Sequence, residues 1–267
     1  MVSRNDISKK RIVLIMLALM ALSVLMRLPL HRFVRDAGGD LCIDSDSGSI
    51  FLTDPDSYYH LRMTKDILEH GEAGDTMKDG IPWDSLSSAP EGRSAAGYRP
   101  LMAGICILAY RVVSAFTDVS LEQTAYWLNV FISALTLIPV FLLSLKLSST
   151  TGAVTAGILA VLNYGYFLHS APGFYDTDAV LCCLASSFLY SGCLLIEKLK
   201  DLKHIKPYAA AFFCLGIMLY QCWYVYYIFV FIMAAVFLAA GIIKKDKLAA
   251  AASPLLIAAV FILEPQL

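Results

Sequence analysis

Long apolar runs separated by polar connections make up most of the chain. The first run, IVLIMLALMALSVLM, continues through LPL and so reaches the roughly 20 residues that a helix needs to cross a bilayer core. No small-residue cleavage site follows it, which indicates a retained anchor and not a signal peptide. The predicted spans are about 12–30, 122–145, 152–168, 177–196, 207–221, 224–243 and 248–263. The pattern therefore predicts an all-α polytopic membrane protein with about seven transmembrane helices.

Composition agrees with a bilayer as the surrounding medium. Hydrophobic residues form 58% of the chain and charged residues only 16%, and the mean hydropathy of +0.65 exceeds that of ordinary water-soluble domains. The net charge is -1, and the sequence contains no basic stripe of the kind that binds nucleic acid. We therefore expect lipid, and no nucleic acid, among its partners.

The distribution of charge predicts the orientation. The apolar stretch 100–110 would be only about 16 Å long as a helix, and Arg99 and Arg111 flank it, so we place it at the outer interface within a long external loop, 31–121. The basic N-terminus and the lysine-bearing connections then share the cytoplasmic side, as the positive-inside rule requires. These lysines are Lys146, Lys198, Lys200, Lys203, Lys206, Lys244, Lys245 and Lys247. Arg27, near the outer end of the first span, is expected to extend to the interface.

The external loop contains the polar stretch DPDSYYHLR at 54–62, which begins a predicted short helix. Asp56 or Ser57 is expected to cap this helix and Gly71 to end it. Two asparagines inside predicted spans, Asn129 and Asn163, are expected to form hydrogen bonds between helices.

Carboxylates from two external segments are predicted to emerge on one membrane face. Asp56 lies in the long loop, and Asp176 and Asp178 lie in the later loop HSAPGFYDTDAV. Oxygen ligands of this kind suit a hard divalent cation such as Mg²⁺ or Mn²⁺. The alternative is structural: Asp176 and Asp178 would cap the next helix, and Asp54 with Asp56 would form an Asx turn.

Several motifs, in order, resemble those of a known family. DPDSYYHLR, then DIL, GYRPL, GFYDTD and QCWYVYY are similar to the N-terminal membrane half of the catalytic subunit of oligosaccharyltransferase, of the single-subunit type found in bacteria and archaea. The resemblance implies the transmembrane domain of a C-type glycosyltransferase. It also implies transfer of an oligosaccharide from a polyprenyl (pyro)phosphate carrier to asparagine in N-x-S/T sequons.

The resemblance also implies roles for individual residues. Asp56 matches the acid that binds the metal and contacts the acceptor amide, which makes it the catalytic candidate. Asp176 matches the metal-binding acid of the second loop, and Asp178 its partner. Candidate contacts with the donor phosphate are His60, Arg62 and His169, the last standing where family members often carry arginine. For His60 and Arg62 a structural role on a solvated helix is the alternative.

Two other functions stay open from the sequence. One is a C-type glycosyltransferase that moves a single sugar from a lipid carrier, and the other is a non-catalytic scaffold or inactive fragment. A transporter is disfavoured because the charges cluster in outer loops and not at mid-membrane. The family's third acid and its soluble C-terminal domain have no counterpart before Leu267, so we expect an incomplete chain. The expected location is a bacterial or archaeal plasma membrane, with the active face outside.

Overall fold

The structure is a computed structural model, and it describes residues 8–37, 50–201 and 203–263. Residues 38–49 of the predicted external loop lie outside the described residues. In chain order the elements are α1 (Lys9–Ala37), α2 (Pro55–His70), β1 (Thr76–Lys78), β2 (Ile81–Asp84), β3 (Arg93–Ser94), α3 (Leu101–Ser114), α4 (Leu121–Leu147), α5 (Thr150–Leu162), α6 (Tyr164–Leu168), α7 (Asp178–Lys198), α8 (Ile205–Cys222), α9 (Tyr227–Ile243) and α10 (Lys247–Leu263).

Four of these helices are long and apolar enough to cross a membrane. They are α4, α7, α8 and the Lys9–Leu30 part of α1. Shorter apolar helices are α3, α5, α9 and α10. Helix α4 packs against α1, α5 and α7, and α7 in turn packs against α8 and α9. The prediction of a largely helical protein with membrane-spanning helices is confirmed.

The predicted span 152–168 is divided at Asn163. This residue has the non-helical angles φ -57° and ψ 118°, so α5 ends before it. Its side-chain oxygen accepts a hydrogen bond from the backbone N–H of Tyr166 at 3.0 Å and caps α6. Asn163 therefore serves a helix end, and the expectation that it bonds to another helix was wrong.

Helix α2 has the predicted position but a different cap. The Asp54 carboxylate accepts from the backbone N–H groups of Asp56 (2.9 Å) and Ser57 (3.3 Å), so neither Asp56 nor Ser57 is the cap. Gly71 ends the helix at φ +85°, as predicted. Because Asp54 caps the helix, the Asp56 side chain is left exposed at its first turn.

A small antiparallel sheet, which the sequence pattern did not predict, follows α2. Its order is β1-β2-β3, and Trp83 pairs with both Thr76 and Ser94. The turn between β1 and β2 contains Asp79 and Gly80, both with positive φ, as a tight hairpin requires. The sheet gives the outer loop a rigid edge beside α2.

Arg27 is buried, so its predicted extension to the interface was wrong. Its side chain has no exposed surface. Its Nε donates to the Ser170 hydroxyl at 2.9 Å, and its Nη1 donates to the Ser23 hydroxyl at 2.9 Å. The guanidinium also lies 5.0 Å from the ring centroid of Phe167. Ser170 lies between α6 and the second acidic motif, so Arg27 joins α1 to the segment that leads into that motif.

Candidate active site

Hydrogen bonds donated by backbone N–H groups attach the second acidic loop to the residues just before and within α2. The Thr53 N–H donates to the Gly173 carbonyl at 3.0 Å, and the Tyr175 N–H donates to the Ser57 hydroxyl at 2.8 Å. The Gly173 N–H donates to the carbonyl of Tyr126 in α4 at 2.8 Å. Two segments far apart in the sequence are therefore held side by side next to their acidic residues.

Gly173 makes this close approach possible. Its φ is +84°, and a Cβ atom there would lie 2.9 Å from Thr53 Cγ2 and 3.0 Å from Tyr126 Cε2. Side chains rarely adopt this backbone conformation, and these distances leave no room for a methyl group. Glycine is thus required where the two loops meet.

Buried polar groups of α4 and α2 hold the second acidic loop in place. The side-chain amide of Asn129, which is fully buried in α4, donates to the carbonyls of Phe174 (2.7 Å) and Asp176 (2.9 Å). The Tyr175 hydroxyl lies 2.8 Å from the Thr64 hydroxyl of α2. Asn129 therefore bonds to loop carbonyls, which corrects the expectation of a helix-to-helix bond. An asparagine inside an apolar span is the sequence signal that could have indicated this positioning role.

The three predicted acids line one cavity of about 650 Å³. Asp56 reaches it from the first turn of α2, Asp176 from the second loop, and Asp178 from the first residue of α7. The remaining lining residues are Tyr59, His60, Ser87, Ser88, Arg93, Gly97, Thr177, Cys222, Trp223 and Tyr224. The outer loop, the second acidic loop and the α8–α9 connection thus each form part of the wall.

Asp176 stays ionised at neutral pH because its surroundings favour the carboxylate. Burial raises its pKa, but hydrogen bonds from His60 and from the Thr177 backbone outweigh burial and lower the pKa below its ordinary value. The Asp176 Oδ1 lies 3.1 Å from His60 Nε2 and 2.5 Å from the Thr177 nitrogen. The loop thereby presents a half-buried, oriented anion at the wall of the cavity.

The orientation of His60 is set from its other side by Tyr98. The His60 Nδ1 lies 3.2 Å from the Tyr98 hydroxyl. Burial raises the pKa of the Tyr98 phenol above its ordinary value, so the hydroxyl keeps its proton at neutral pH. The two ring nitrogens of His60 thus face two different partners, Tyr98 and Asp176, which together fix the plane of the ring.

His169 and Arg62 are held by carboxylates. His169 Nδ1 forms a short hydrogen bond to Asp178 Oδ2, and its ring stacks on Phe174 with centroids 4.5 Å apart. Arg62 makes a two-pronged contact with Asp84, with Nη2 3.0 Å from Oδ2. Arg62 is not among the residues that line the cavity. The three predicted phosphate contacts are therefore all engaged with acids in this structure.

The Arg62–Asp84 pair predicts how the outer loop responds to acid. Burial raises the pKa of Asp84, but hydrogen bonds from Ser87 and Arg62 outweigh burial and lower the pKa. A carboxyl with a lowered folded-state pKa stabilises the fold at neutral pH, and this contribution is lost as the pH falls below about 4. We expect the side chain of Trp83, which lies in the same strand, to become more solvent-exposed as the pH falls through this range.

The measurement is Trp83 fluorescence against pH, in protein with the other two tryptophans changed to phenylalanine. Asp84→Asn should lower the free energy of unfolding of the loop at pH 7 by about 2 kcal/mol and flatten the acid transition. Fluorescence of Asp84→Asn that follows the parent's pH profile would show that this pair does not control the loop.

The acids of the cavity have the chemistry of a divalent cation site. Carboxylate oxygens are the ligands that Mg²⁺ and Mn²⁺ prefer, and Asp56, Asp176 and Asp178 supply them at one cavity. Within the described residues no three His, Cys, Asp or Glu side chains lie close enough together to hold an ion. The side chains present are therefore of the right chemical type for such an ion. In this arrangement the Asp176 carboxylate is paired with His60 and the Asp178 carboxylate with His169.

Comparison with known proteins identifies the family. Residues 9–265 match the family model described as "Oligosaccharyl transferase STT3, N-terminal". The chain is 36% identical over 138 residues to a dolichyl-phosphooligosaccharide-protein glycotransferase of Methanococcus voltae, which covers 49% of this chain and 15% of that protein. It is 25% identical over 153 residues to a protein of the same name from Methanocaldococcus jannaschii, covering 55% and 16%. The chain thus spans only a small part of the length of these relatives.

Solved structures show the same fold. The apo oligosaccharyltransferase of Archaeoglobus fulgidus superposes with a TM-score of 0.63 at 20% identity, over 87% of this chain and 25% of that one. The complex of that protein with Zn and sulfate gives 0.61 at 21% identity, over 84% and 26%. With the match to the family model over almost its whole length, the chain belongs to the STT3 oligosaccharyl transferase family.

Proposed function

We propose that this chain forms the membrane part of an enzyme that transfers an oligosaccharide from a polyprenyl (pyro)phosphate carrier to asparagine in N-x-S/T sequons. The observation that carries the proposal is the meeting of Asp56, Asp176 and Asp178 at one cavity. The names of the archaeal relatives, dolichyl-phosphooligosaccharide-protein glycotransferases, support the same reaction. The activity, its substrates and its membrane orientation are parts of this proposal.

Asp56 is proposed to activate the acceptor. An amide nitrogen is a poor nucleophile because its lone pair is delocalised into the carbonyl. An exposed carboxylate at the start of α2 can accept hydrogen bonds from the amide protons and disfavour that delocalisation. The nitrogen then bonds to the anomeric carbon of the glycan while the bond from that carbon to the phosphate oxygen breaks, and the proton lost by the nitrogen passes to a carboxylate.

Asp56, Asp176 and Asp178 are proposed to hold a divalent cation, Mg²⁺ or Mn²⁺, which when bound would supply positive charge beside the departing phosphate. The structure of the Archaeoglobus fulgidus protein with zinc supports a divalent ion in the family. The lowered pKa of Asp176 supports this role, since the carboxylate is ready to bind without losing a proton. His60 and His169 would orient Asp176 and Asp178 until the ion is bound.

The cavity is proposed to face outward from a bacterial or archaeal plasma membrane. Helix α7 begins at Asp178 beside the cavity and ends at Lys198, and 21 helical residues span about 30 Å. At the distant end, Lys146 pairs with Glu197 at 2.5 Å. Lysines therefore lie at the end remote from the acids, and positive residues favour the cytoplasm.

Membrane vesicles that contain the product of the whole reading frame test both activity and orientation. Right-side-out vesicles, supplied with lipid-linked oligosaccharide and a membrane-impermeant N-x-T peptide, should glycosylate the peptide. Inside-out vesicles should do so only after detergent opens them. Mass spectrometry of the peptide measures the product and the size of the attached glycan.

The matched control is the same peptide with glutamine in place of asparagine, which should stay unmodified. Chelation with EDTA should abolish transfer, and added Mn²⁺ or Mg²⁺ should restore it. Attachment of a single sugar would instead show a C-type glycosyltransferase that moves one sugar from a lipid carrier. No product from detergent-opened vesicles would refute the proposed reaction.

A further inference from the structure

The motif GYRPL, at the junction of the outer loop and α3, contacts two different walls of the cavity. Tyr98 contacts His60, whose other ring nitrogen faces Asp176. The next residue, Arg99, contacts the α8–α9 connection. Neither Tyr98 nor Arg99 is among the described residues that line the cavity. These two side chains therefore act on the site through the residues that they contact.

Arg99 binds backbone carbonyls at the end of α8. Its Nη1 donates to the carbonyl of Tyr220 and, at 3.4 Å, to the carbonyl of Trp223. Carbonyls in the last turn of a helix have no N–H partner further along the helix, and they carry the negative end of the helix dipole. The guanidinium supplies hydrogen bonds and the opposite charge at this end. Arg99 therefore stabilises the point at which α8 stops and the connection to α9 begins.

Two aromatic rings hold the guanidinium in this place. Its central carbon lies 4.3 Å from the ring centroid of Tyr220 and 5.6 Å from that of Tyr226. The two tyrosine rings meet edge to face with centroids 5.2 Å apart, and Tyr226 is buried. A half-buried cation over aromatic faces is held more firmly than one in water. The planar guanidinium can stack on these rings in a way that a lysine ammonium cannot.

The residues beside this attachment form the wall of the cavity. Cys222, Trp223 and Tyr224 line it, and the Cys222 side chain is only 3% exposed. Trp223 has the extended angles φ -151° and ψ 139°, so the chain leaves the helix there. The wall is thus a short turn between two helices. The bonds from Arg99 attach this turn to the motif that also holds His60.

We infer that Arg99 is a positioning residue, which sets the distance between the α8–α9 wall of the cavity and the His60–Asp176 pair. This role rests on the proposed function and adds to it a residue that lies outside the cavity. Because Tyr98 and Arg99 are neighbours in the chain, a movement of one is passed to the other. Release of the wall should expose the Cys222 thiol to water and lower the rate of glycan transfer.

Modification of Cys222 by a charged maleimide tests this role without any need for turnover. The rate is measured by peptide mass spectrometry on the product of the whole reading frame in phosphatidylcholine nanodiscs. Arg99→Gln should speed the modification about tenfold, as the loss of charge-assisted hydrogen bonds implies. Arg99→Lys keeps the charge but not the planar group, so it should give an intermediate rate. Arg111→Gln, the same loss of charge at the exposed far end of α3, should leave the rate unchanged.

Glycan transfer by the same variants is the second measurement. Arg99→Gln should lower the rate at saturating peptide and donor about tenfold, because the groups of the site are displaced. Arg99→Lys should recover part of this loss, and Arg111→Gln should keep the parent's rate. If Arg99→Gln does not fold, Tyr220→Leu removes a ring that contacts the guanidinium and keeps the carbonyl. It should change both rates in the same direction by a smaller factor.

Unchanged Cys222 modification in every folded variant at Arg99 or Tyr220 would overturn the role of Arg99 in holding the wall. Equal acceleration in Arg111→Gln would also overturn it. Faster modification of Cys222 with a parental transfer rate would show that the wall does not position the site. Faster modification in Arg99→Gln, with no glycan transfer by the parent protein, would count against the proposed function alone.

Discussion

Replacing Asp56 with asparagine is expected to reduce glycan transfer to a sequon peptide by at least about a hundredfold, the usual loss when one preorganised group that acts on the reacting atoms is removed. The change removes the negative charge and half of the hydrogen-bond acceptors while it keeps the side-chain size. The Asp56 side chain is exposed and does not cap α2, since Asp54 does. The fold should therefore be preserved, and the loss should appear in the turnover number.

Asp79→Asn is the matched control for this variant. Asp79 lies in the hairpin turn with φ +53°, a conformation that asparagine adopts as readily as aspartate. The same loss of one charge from the outer loop should leave transfer unchanged there. Both variants are compared by transfer rate at saturating peptide and by their amount in the membrane. Wild-type turnover in Asp56→Asn would remove Asp56 from the mechanism.

Local sequence patterns predicted those parts of the fold that short-range physics decides. Helix α2 and its end at Gly71 follow from apolar spacing and from glycine's tolerance of positive φ. The predicted cap was wrong by two or three residues because Asp54, Asp56 and Ser57 are all good caps, and Pro55 at the first helical position favours the residue before it. The small sheet was not predicted because its strands contain only two to four residues each.

Long-range contacts account for what the sequence did not predict. Nothing near Arg27 in the sequence indicates Ser170 as its partner, so an arginine at the end of a span was expected to reach water. The acids were found because aspartates are rare in an apolar chain, whereas Arg93 has no local pattern that separates it from other loop cations. The sheet places it over the Tyr59 ring and at the cavity that Asp176 also lines.

Gly173→Ala is expected to separate the two loops and so to disable the site from a position that does not line the cavity. The left-handed conformation at φ +84° and the approach to Thr53 Cγ2 should together cost about 2 kcal/mol of stability. A shift of about 1 Å in the segment that leads to Asp176 should lower transfer by about a hundredfold. Transfer rate and thermal unfolding in detergent measure the two effects.

The matched control is Gly104→Ala in α3, where a Cβ atom would meet nothing within 4 Å. There the substitution should be neutral, or stabilising by up to about 1 kcal/mol because alanine favours helices. Adding Thr53→Ser to Gly173→Ala removes the nearest clashing methyl group, so partial recovery of transfer is expected. Since the Thr53 N–H bond to the Gly173 carbonyl is a backbone bond, it survives that second change. Full activity in Gly173→Ala alone would show that the distance between the loops does not control the acids.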